Sequence, residues 1–251
     1  MQKTNEKAWH EQDDFWKIFG PVIFNKKVML AAPQEVEQLL SLLNLKQSSS
    51  ICDLCCGVGR HSLELARRGF HVTSVDRTAL YLREAQKKAD AEGLDIQFVQ
   101  EDMRSFCQPN SFDAVISLYT SFGYFEDPID ERKVVENVYK SLKRKGRLVM
   151  DLMGKEVLAR IFQERDWREE DGLILLEERK IGKNWRFIES RWIMIKDGKK
   201  HERKFYPRLY SAVELCDLLK SCGFQQVETY GGLDGSPYDQ KANRLVLVGQ
   251  K

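Results

Sequence analysis

Acidic residues near the ends of three predicted strands have the types and spacing that suit a nucleotide-like ligand. Asp53 lies in S-I-C-D-L-C-C-G-V-G-R-H (50–61), a pattern that predicts a strand, a glycine-rich turn and the start of a helix. Glycines let the turn approach a ligand closely, and the new helix offers unpaired N–H groups at its start. Asp76 and Asp102 end the next two predicted strands. These acids therefore mark one candidate binding site.

The carboxylate of Asp53 distinguishes between classes of ligand. A dinucleotide-binding turn reads G-x-G-x-x-G and rests a pyrophosphate on the helix start, whereas here Gly57 and Gly59 are followed by Ser62 in place of the third glycine. A phosphate beside Asp53 would be repelled in a poorly solvated cleft. S-adenosylmethionine carries an ammonium and a sulfonium group and would be attracted. Asp76 stands where an acid can accept hydrogen bonds from both ribose hydroxyls.

Hydrophobic strands and helices alternate along most of the chain. Strands are predicted at residues 51–54, 70–76, 96–102, 112–119 and 147–153. Helices are predicted at 33–45, from 61 onward, at 78–92 and at 128–143. Pro33 would begin the first helix, because proline is tolerated at that position. The alternation predicts an α/β fold with a doubly wound, mostly parallel sheet covered on both faces.

Residues 165–208 interrupt this alternation. Their apolar segments, with a turn at Asp197–Gly198, predict antiparallel strands joined by tight turns. About 45 residues is small for an independent core, so we interpret the segment as an insertion that decorates the main sheet. The α/β pattern resumes with a helix capped by Ser211 and stopped by Gly223, followed by the last strands.

Four motifs together resemble the class I S-adenosylmethionine-dependent methyltransferases: D-L-C-C-G-V-G (53–59), V-D (75–76), E-D-M (101–103) and F-D-A-V-I-S-L-Y (112–119). The resemblance covers roughly residues 35–153 and the final helix and strands. It implies a Rossmann-like sheet of seven strands whose last strand runs antiparallel. It also implies S-adenosylmethionine as methyl donor and S-adenosylhomocysteine as product. The family's first motif is typically D-x-G-x-G-x-G, and Cys55 replaces its first glycine here.

The resemblance also implies roles for individual residues. Asp53 and the backbone of residues 55–59 would hold the methionine moiety, and Asp76 would bind the ribose. Asp102 and Met103 would flank the adenine. Arg60 either pairs with the methionine carboxylate or is a surface arginine. The complete predicted set of cofactor-binding residues is Asp53, Cys55, Cys56, Gly57, Gly59, Arg60, Asp76, Arg77, Asp102, Met103 and Leu118.

Catalytic and acceptor residues have weaker sequence signals. Methyl transfer from a sulfonium is an in-line displacement of an activated group, so the protein mainly positions the acceptor. A base is needed only where the acceptor loses a proton, and Tyr124 and His61 are the candidates. Ligands of α/β sheets bind outside the carboxyl ends of the strands. The residues predicted to line the acceptor side are Tyr119, Ser121, Tyr124, Ser236 and Tyr238; the alternative is that these aromatic rings pack beneath a loop.

The cysteines and the absence of an apolar span restrict the class of protein. The C-x-x-C motif at 52–55 has no second such motif beside it, and the chain has only four histidines, so we predict no metal site. We interpret the six cysteines as buried free thiols of a protein in a reducing compartment. No apolar run approaches the roughly 20 residues of a membrane span, and the N-terminal residues show no secretory signal. We expect a cytoplasmic protein that has no membrane partner.

The chain of 251 residues is predicted to form a single methyltransferase domain with four parts. These are an N-terminal arm (1–34), a cofactor-binding core (35–153), the insertion on the acceptor side (165–208) and the C-terminal part of the core (209–251). The arm contains Trp9, Phe15, Trp16, Phe19 and Phe24, which predict docking onto the core or, alternatively, a lid over the ligand.

The favoured acceptor is a small molecule, and the oligomeric state stays open. Residues 177–208 contain 11 Lys and Arg against 5 Asp and Glu, which keeps an RNA or protein acceptor as the alternative. We favour a solvated strand face, because long basic side chains commonly cover such faces. Further alternatives are a nicotinamide-dependent oxidoreductase and a non-catalytic cofactor-binding module. The net charge of +2 favours no partner.

Overall fold

The computed structural model describes residues 7–251, so the first six residues of the predicted arm lie outside it. The strands are β1 (Ser50–Leu54), β2 (His71–Asp76), β3 (Ile96–Gln100), β4 (Phe112–Ser117), β5 (Leu142–Leu152), β6 (Arg165–Glu170), β7 (Leu173–Ile181), β8 (Ile188–Lys196), β9 (Lys199–Phe205), β10 (Gln226–Tyr230) and β11 (Leu245–Gln250). The helices are α1 (Asp13–Ile23), α2 (Lys26–Leu43), α3 (Arg60–Arg67), α4 (Ala79–Glu92), α5 (Pro128–Ser141), α6 (Lys155–Ile161) and α7 (Ala212–Ser221).

Seven strands form the main sheet in the order β10-β11-β5-β4-β1-β2-β3. The pairs from β5 to β3 are parallel, whereas β11 runs antiparallel to both of its neighbours. This arrangement confirms the predicted fold class. Parallel pairing places the carboxyl ends of β1, β2, β3 and β4 at one edge of the sheet, where the predicted site residues lie.

The apolar side chains of the central strands supply two core layers. In β4, Val115 packs on the face covered by α5 and α7, while Ala114 and Ile116 pack on the face covered by α2 and α3. All three side chains are buried. Strands with both faces covered must be apolar throughout, which explains the nearly unbroken hydrophobic run at this position.

The first predicted helix starts earlier than Pro33, so that prediction was wrong. The side chain of Asn25 caps α2 by accepting a hydrogen bond from the backbone N–H of Val28 (3.0 Å), and helical residues follow directly. Pro33 lies inside the helix on an exposed position. The helix predicted at 128–143 ends at Ser141, because the chain enters β5 at Leu142.

The insertion forms a separate antiparallel sheet, β6-β7-β8-β9, as predicted. The predicted turn at Asp197–Gly198 joins β8 to β9. One face of this sheet buries Leu175, Met194 and Phe205 against α1. The opposite face carries charged side chains in ion pairs.

Arg191 shows this pairing most clearly. Its guanidinium contacts Glu178 and Glu202, both at 2.7 Å. The basic side chains of the insertion therefore face solvent beside acidic partners, as expected for a solvated strand face. No helix within residues 7–251 has the length and apolar character needed to cross a membrane.

Candidate active site

A cavity opens at the carboxyl ends of β1 to β4. It brings together almost all of the predicted cofactor-binding residues: Asp53, Cys55, Cys56, Gly57, Arg60, Asp76, Arg77, Asp102, Met103 and Leu118. It also includes four of the predicted catalytic or acceptor-side residues: His61, Tyr119, Ser121 and Tyr124.

Three predicted site residues lie outside the cavity lining. Gly59 has a φ of 72°, and a Cβ there would come within 2.9 Å of the Ala85 Cβ, so this glycine serves the packing of α3 against α4. The Ser236 hydroxyl donates a hydrogen bond to Asp234 (2.8 Å), and the Tyr238 hydroxyl donates one to Glu156 (2.8 Å). Both hydroxyls are therefore engaged elsewhere, and neither residue lines the cavity, contrary to the prediction.

Asp76 fixes the turn that follows β1. Its carboxylate accepts hydrogen bonds from the backbone N–H of Gly57 (2.9 Å) and of Thr78 (2.7 Å). Burial raises the pKa of Asp76, although both backbone donors oppose that effect. The carboxylate that ends β2 thus holds the glycine turn of the neighbouring strand in place.

Phe24 packs directly on the same turn. Gly57 has a φ of 56°, and a Cβ there would lie 2.6 Å from Cζ of Phe24. The sequence predicts that this glycine allows close approach of a ligand, and the structure shows that it also allows close approach of an aromatic ring from the N-terminal segment.

Cys55 occupies a backbone conformation that suits glycine. Its φ is 64°, and such a left-handed conformation costs a residue with a side chain about 1–2 kcal/mol. The thiol lies 3.6 Å from the Met103 sulfur, and burial raises the pKa of Cys55 well above its ordinary value. The departure from the family motif therefore retains the glycine-like turn and adds a protonated thiol to the cavity wall. All six cysteines are free thiols, as predicted, but only Cys52 and Cys56 are buried, whereas the other four are partly exposed.

Asp53 is buried at the floor of the cavity, with 2% of its surface exposed. Its carboxylate accepts a hydrogen bond from the Ser62 hydroxyl (2.6 Å), the residue that replaces the third glycine of a dinucleotide motif. Burial raises the pKa of Asp53, and the nearby His61 and Ser62 act in the opposite direction. A cationic ligand group would compensate this buried carboxylate.

Glu35 is a residue of this region that the sequence analysis missed. Glu35 lies on α2. Its carboxylate pairs with the Arg60 guanidinium and lies 2.8 Å from Nε2 of His61. Burial works against its ionisation, yet His61 and Arg60 hold the pKa of Glu35 below its usual value. Arg60 is only 5% exposed, which excludes the surface arginine interpretation. Its guanidinium lies 5.1 Å from the centroid of the Tyr119 ring.

The N-terminal segment contributes a wall that motifs could not reveal. His10, Trp16, Ile23 and Phe24 line the cavity. Two ion pairs attach the segment to the loops after β3 and β2: Glu11 with Arg104 (2.8 Å) and Asp13 with Arg77 (2.8 Å). The Trp16 carbonyl also accepts a hydrogen bond from the Tyr81 hydroxyl on α4 (2.6 Å). The segment therefore docks on the core and covers the ligand cavity at the same time.

Asp102 lies in the loop after β3. Its carboxylate accepts hydrogen bonds from the backbone N–H of Arg104 (2.8 Å) and from the guanidinium of that residue (2.8 Å and 2.9 Å). Burial opposes ionisation, but these bonds hold the pKa of Asp102 below its usual value. Asp102 is therefore ionised at neutral pH.

Glu131 on α5 fixes the loop that carries Tyr124. Its carboxylate accepts a hydrogen bond from the backbone N–H of Phe125 (3.0 Å). The carbonyl of Gly123, in the same loop, accepts a hydrogen bond from the backbone N–H of Arg208 (2.6 Å). Only 1% of Glu131 is exposed. The loop after β4 is thus held by α5 and by the residues that follow the insertion sheet.

Glu131 makes folding stability depend on pH. Burial raises the pKa of Glu131 from 4.5 to about 7, so the folded protein retains a proton that the unfolded chain releases. Stability is therefore lost as pH rises between about 4.5 and 7. Relative to Glu131→Gln, the wild type should lose about 2–3 kcal/mol of unfolding free energy between pH 5 and 8. Urea unfolding of both proteins at several pH values checks this, and a constant difference would contradict it.

The comparisons with known proteins agree with this geometry. A family model described as a methyltransferase domain matches residues 51–146. The putative methyltransferase YqeM of Bacillus subtilis is 27% identical over 214 residues, a match that covers 83% of this chain and 86% of that protein. The matched region includes β1 from Ile51 onward, β2 to β4, the glycine turn, and Asp53, Asp76 and Asp102.

Solved structures share the fold. An S-adenosylmethionine-dependent methyltransferase from Clostridium acetobutylicum has a TM-score of 0.79 at 18% identity, covering 95% of this chain and 98% of that chain. The sugar N-methyltransferase KedS8 from a Streptoalloteichus species has a TM-score of 0.69 at 19% identity, covering 100% of this chain and 97% of that chain. The fold and the site define a Rossmann-like methyltransferase. Residues 51–146 match a methyltransferase domain, and the chain is an S-adenosylmethionine-dependent methyltransferase.

Proposed function

We propose that this enzyme transfers the methyl group of S-adenosylmethionine to a small-molecule acceptor. The observation that carries the proposal is the cover of the cavity, because His10, Trp16 and Phe24 from the N-terminal segment line the cavity together with the strand ends. A covered cavity suits an acceptor that enters whole. The similarity to KedS8, described as a sugar N-methyltransferase, supports a small acceptor.

The lining of the cavity fits S-adenosylmethionine. We assign Asp53 and the turn at 55–57 to the methionine moiety, Asp76 to the ribose hydroxyls, and Asp102 with Met103 to the adenine. Each Asp76 oxygen accepts one backbone N–H, and a carboxylate oxygen has a second lone pair that can accept a ribose hydroxyl. The cofactor supplies an electrophilic methyl group when bound and leaves as S-adenosylhomocysteine. Since the sulfonium already activates the methyl group, the proposed reaction needs no metal.

We further assign the acceptor side to the loop after β4, the N-terminal segment and the insertion sheet. Trp9 connects these parts, because its ring centroid lies 4.9 Å from that of Tyr124 and 5.3 Å from that of Phe205. A second, mainly apolar cavity under the insertion includes Thr120 and Trp192, next to Tyr119 of the first cavity. These contacts support an acceptor that is held by aromatic side chains.

Labelled methyl transfer tests the proposal. The enzyme and S-adenosylmethionine with a radioactive methyl group are added to a cell extract, which is then separated into small-molecule, RNA and protein fractions. We expect the label in the small-molecule fraction, and we expect the same result with an ultrafiltrate that lacks RNA and protein. The Asp76→Ala variant serves as the inactive control. Label that enters RNA or protein and is lost with the ultrafiltrate would refute a small-molecule acceptor.

A further inference from the structure

We propose that His10 is the general base of this enzyme and that its acceptor is an amine. The inference rests on the proposed small-molecule methyl transfer and adds the chemical class of the acceptor and the residue that receives its proton. His10 lies in the short 3-10 turn Trp9–Glu11 that precedes α1 and lines the cavity.

The ring of His10 is held in place while its nitrogens stay free. It stacks on Tyr124 (centroids 6.2 Å apart, planes at 23°) and meets the edge of Phe125 (5.1 Å, 86°). The carbonyl of His10 accepts a hydrogen bond from the Trp16 indole (2.9 Å), which fixes the backbone. Across residues 7–251, no side chain or backbone group forms a hydrogen bond with either imidazole nitrogen.

Three of the other titratable groups of the cavity have a partner or an unsuitable protonation state. Asp53 is bonded to the Ser62 hydroxyl, and Nε2 of His61 contacts Glu35. Burial raises the pKa of Tyr124 above its ordinary value, so its phenol stays protonated and accepts no proton. This argues against the predicted role of Tyr124 as base and leaves it as a wall of the acceptor side.

The surroundings of His10 keep its imidazole neutral. Burial lowers the pKa of His10 below its ordinary value of 6.5. The charged and titratable groups that face the ring are Glu11 on the same turn, Arg77 after β2, Asp102 and Arg104 after β3, and Tyr124 after β4. The two arginines lower the pKa of His10 further, and the two acids act in the opposite direction. A neutral imidazole at pH 7 has a lone pair that can accept a proton.

The charges of the cavity favour a cationic acceptor. Four acidic residues line it, Asp53, Asp76, Glu101 and Asp102, against the two arginines Arg60 and Arg77. Glu35 compensates Arg60, Asp13 compensates Arg77, and Arg104 compensates Asp102. Asp53, Asp76 and Glu101 form no ion pair with another group of residues 7–251. The remaining negative charge would attract an ammonium group, which is the protonated form of an amine at neutral pH.

The chemistry of the step also favours an amine over a hydroxyl. An alkylammonium has a pKa of about 10.4, whereas that of water is 15.7, so an imidazole removes the ammonium proton at far lower cost. His10 takes one proton from the ammonium, which leaves the nitrogen with a lone pair. That lone pair forms the N–C bond to the methyl carbon as the S–C bond breaks and its electron pair stays on sulfur. The imidazolium then releases the proton to solvent.

The test compares wild type, His10→Gln and the control His71→Gln, whose side chain is exposed at the start of β2. The probe is the small-molecule ultrafiltrate of a cell extract, used before and after its amines are acetylated with acetic anhydride. We expect acetylation to remove the methyl labelling. At pH 7, His10→Gln should label about 10²–10⁴-fold more slowly, and His71→Gln as fast as wild type. The loss should shrink about tenfold per pH unit toward pH 10, where solvent deprotonates the amine.

Two measurements separate this proposal from the proposed function and from misfolding. S-adenosylhomocysteine should still raise the Tm of His10→Gln, which shows an intact fold. In wild type with S-adenosylhomocysteine, the NMR signal of the His10 Cε1–H should titrate below pH 6.5. Three results would overturn the role of His10 while the proposed function stands. They are methyl labelling of small molecules that resists acetylation, a loss of rate in His10→Gln that is constant with pH, and titration of the His10 signal at or above pH 6.5. Label confined to RNA or protein would overturn both.

Discussion

Asp76→Ala is expected to abolish the stabilisation of the enzyme by S-adenosylhomocysteine. At 100 times Kd, the ligand should raise the unfolding free energy of the wild type by about 2.7 kcal/mol and its Tm by roughly 5–10 °C. The variant should show no shift at the same ligand concentration. Differential scanning fluorimetry of both proteins over a ligand titration measures the effect.

Two losses act together in this variant. The proposed contacts to the ribose hydroxyls disappear, and the backbone N–H groups of Gly57 and Thr78 lose their buried acceptor. An unsatisfied buried donor costs about 1–3 kcal/mol, so the turn that we assign to the cofactor loses its fixed shape. Both effects weaken binding, so the affinity for S-adenosylhomocysteine should fall by more than about 100-fold.

The matched control is Asp95→Asn, which removes an exposed acid from the loop before β3. It should retain the full ligand-induced shift. Asp76→Asn keeps one oxygen acceptor and should retain part of the affinity. An unchanged shift in Asp76→Ala would exclude the assignment of Asp76 to the ribose.

Glu35→Ala is expected to destabilise the protein by about 3 kcal/mol, in the range that follows removal of one partner of a buried ion pair. The Arg60 guanidinium is 5% exposed and would remain buried without its carboxylate, and His61 would lose its Nε2 partner. For a chain of this size, the Tm should fall by roughly 6–12 °C. Thermal and urea unfolding measure the loss.

Glu37→Ala is the matched control, because Glu37 lies on the same helix but is exposed. It should change stability by less than about 0.5 kcal/mol. Adding Arg60→Met to Glu35→Ala should recover part of the lost stability, since the uncompensated charge is then absent. Equal effects of the Glu35 and Glu37 variants would show that the buried pair contributes nothing.

The predicted part of the site follows from local properties of the chain. A buried parallel strand must be apolar on both faces, so β1, β2 and β4 could be located by their residue types. Parallel strands gather their carboxyl ends at one edge, which placed Asp53, Asp76 and Asp102 around one cavity. The alternation of strands and helices likewise indicated the fold class, and the turn residues located the antiparallel insertion.

The remaining part depends on contacts between segments far apart in sequence. Glu35 meets Arg60 across 25 residues, and the Tyr238 hydroxyl meets Glu156 across 82 residues. No local pattern encodes such pairings. The chain by itself determined the sheet, the acids and the methyl donor, because strand periodicity and turn chemistry are local. Only the tertiary structure decided that His10 closes the site, because the packing of the N-terminal segment on the insertion and the loop after β4 places it there.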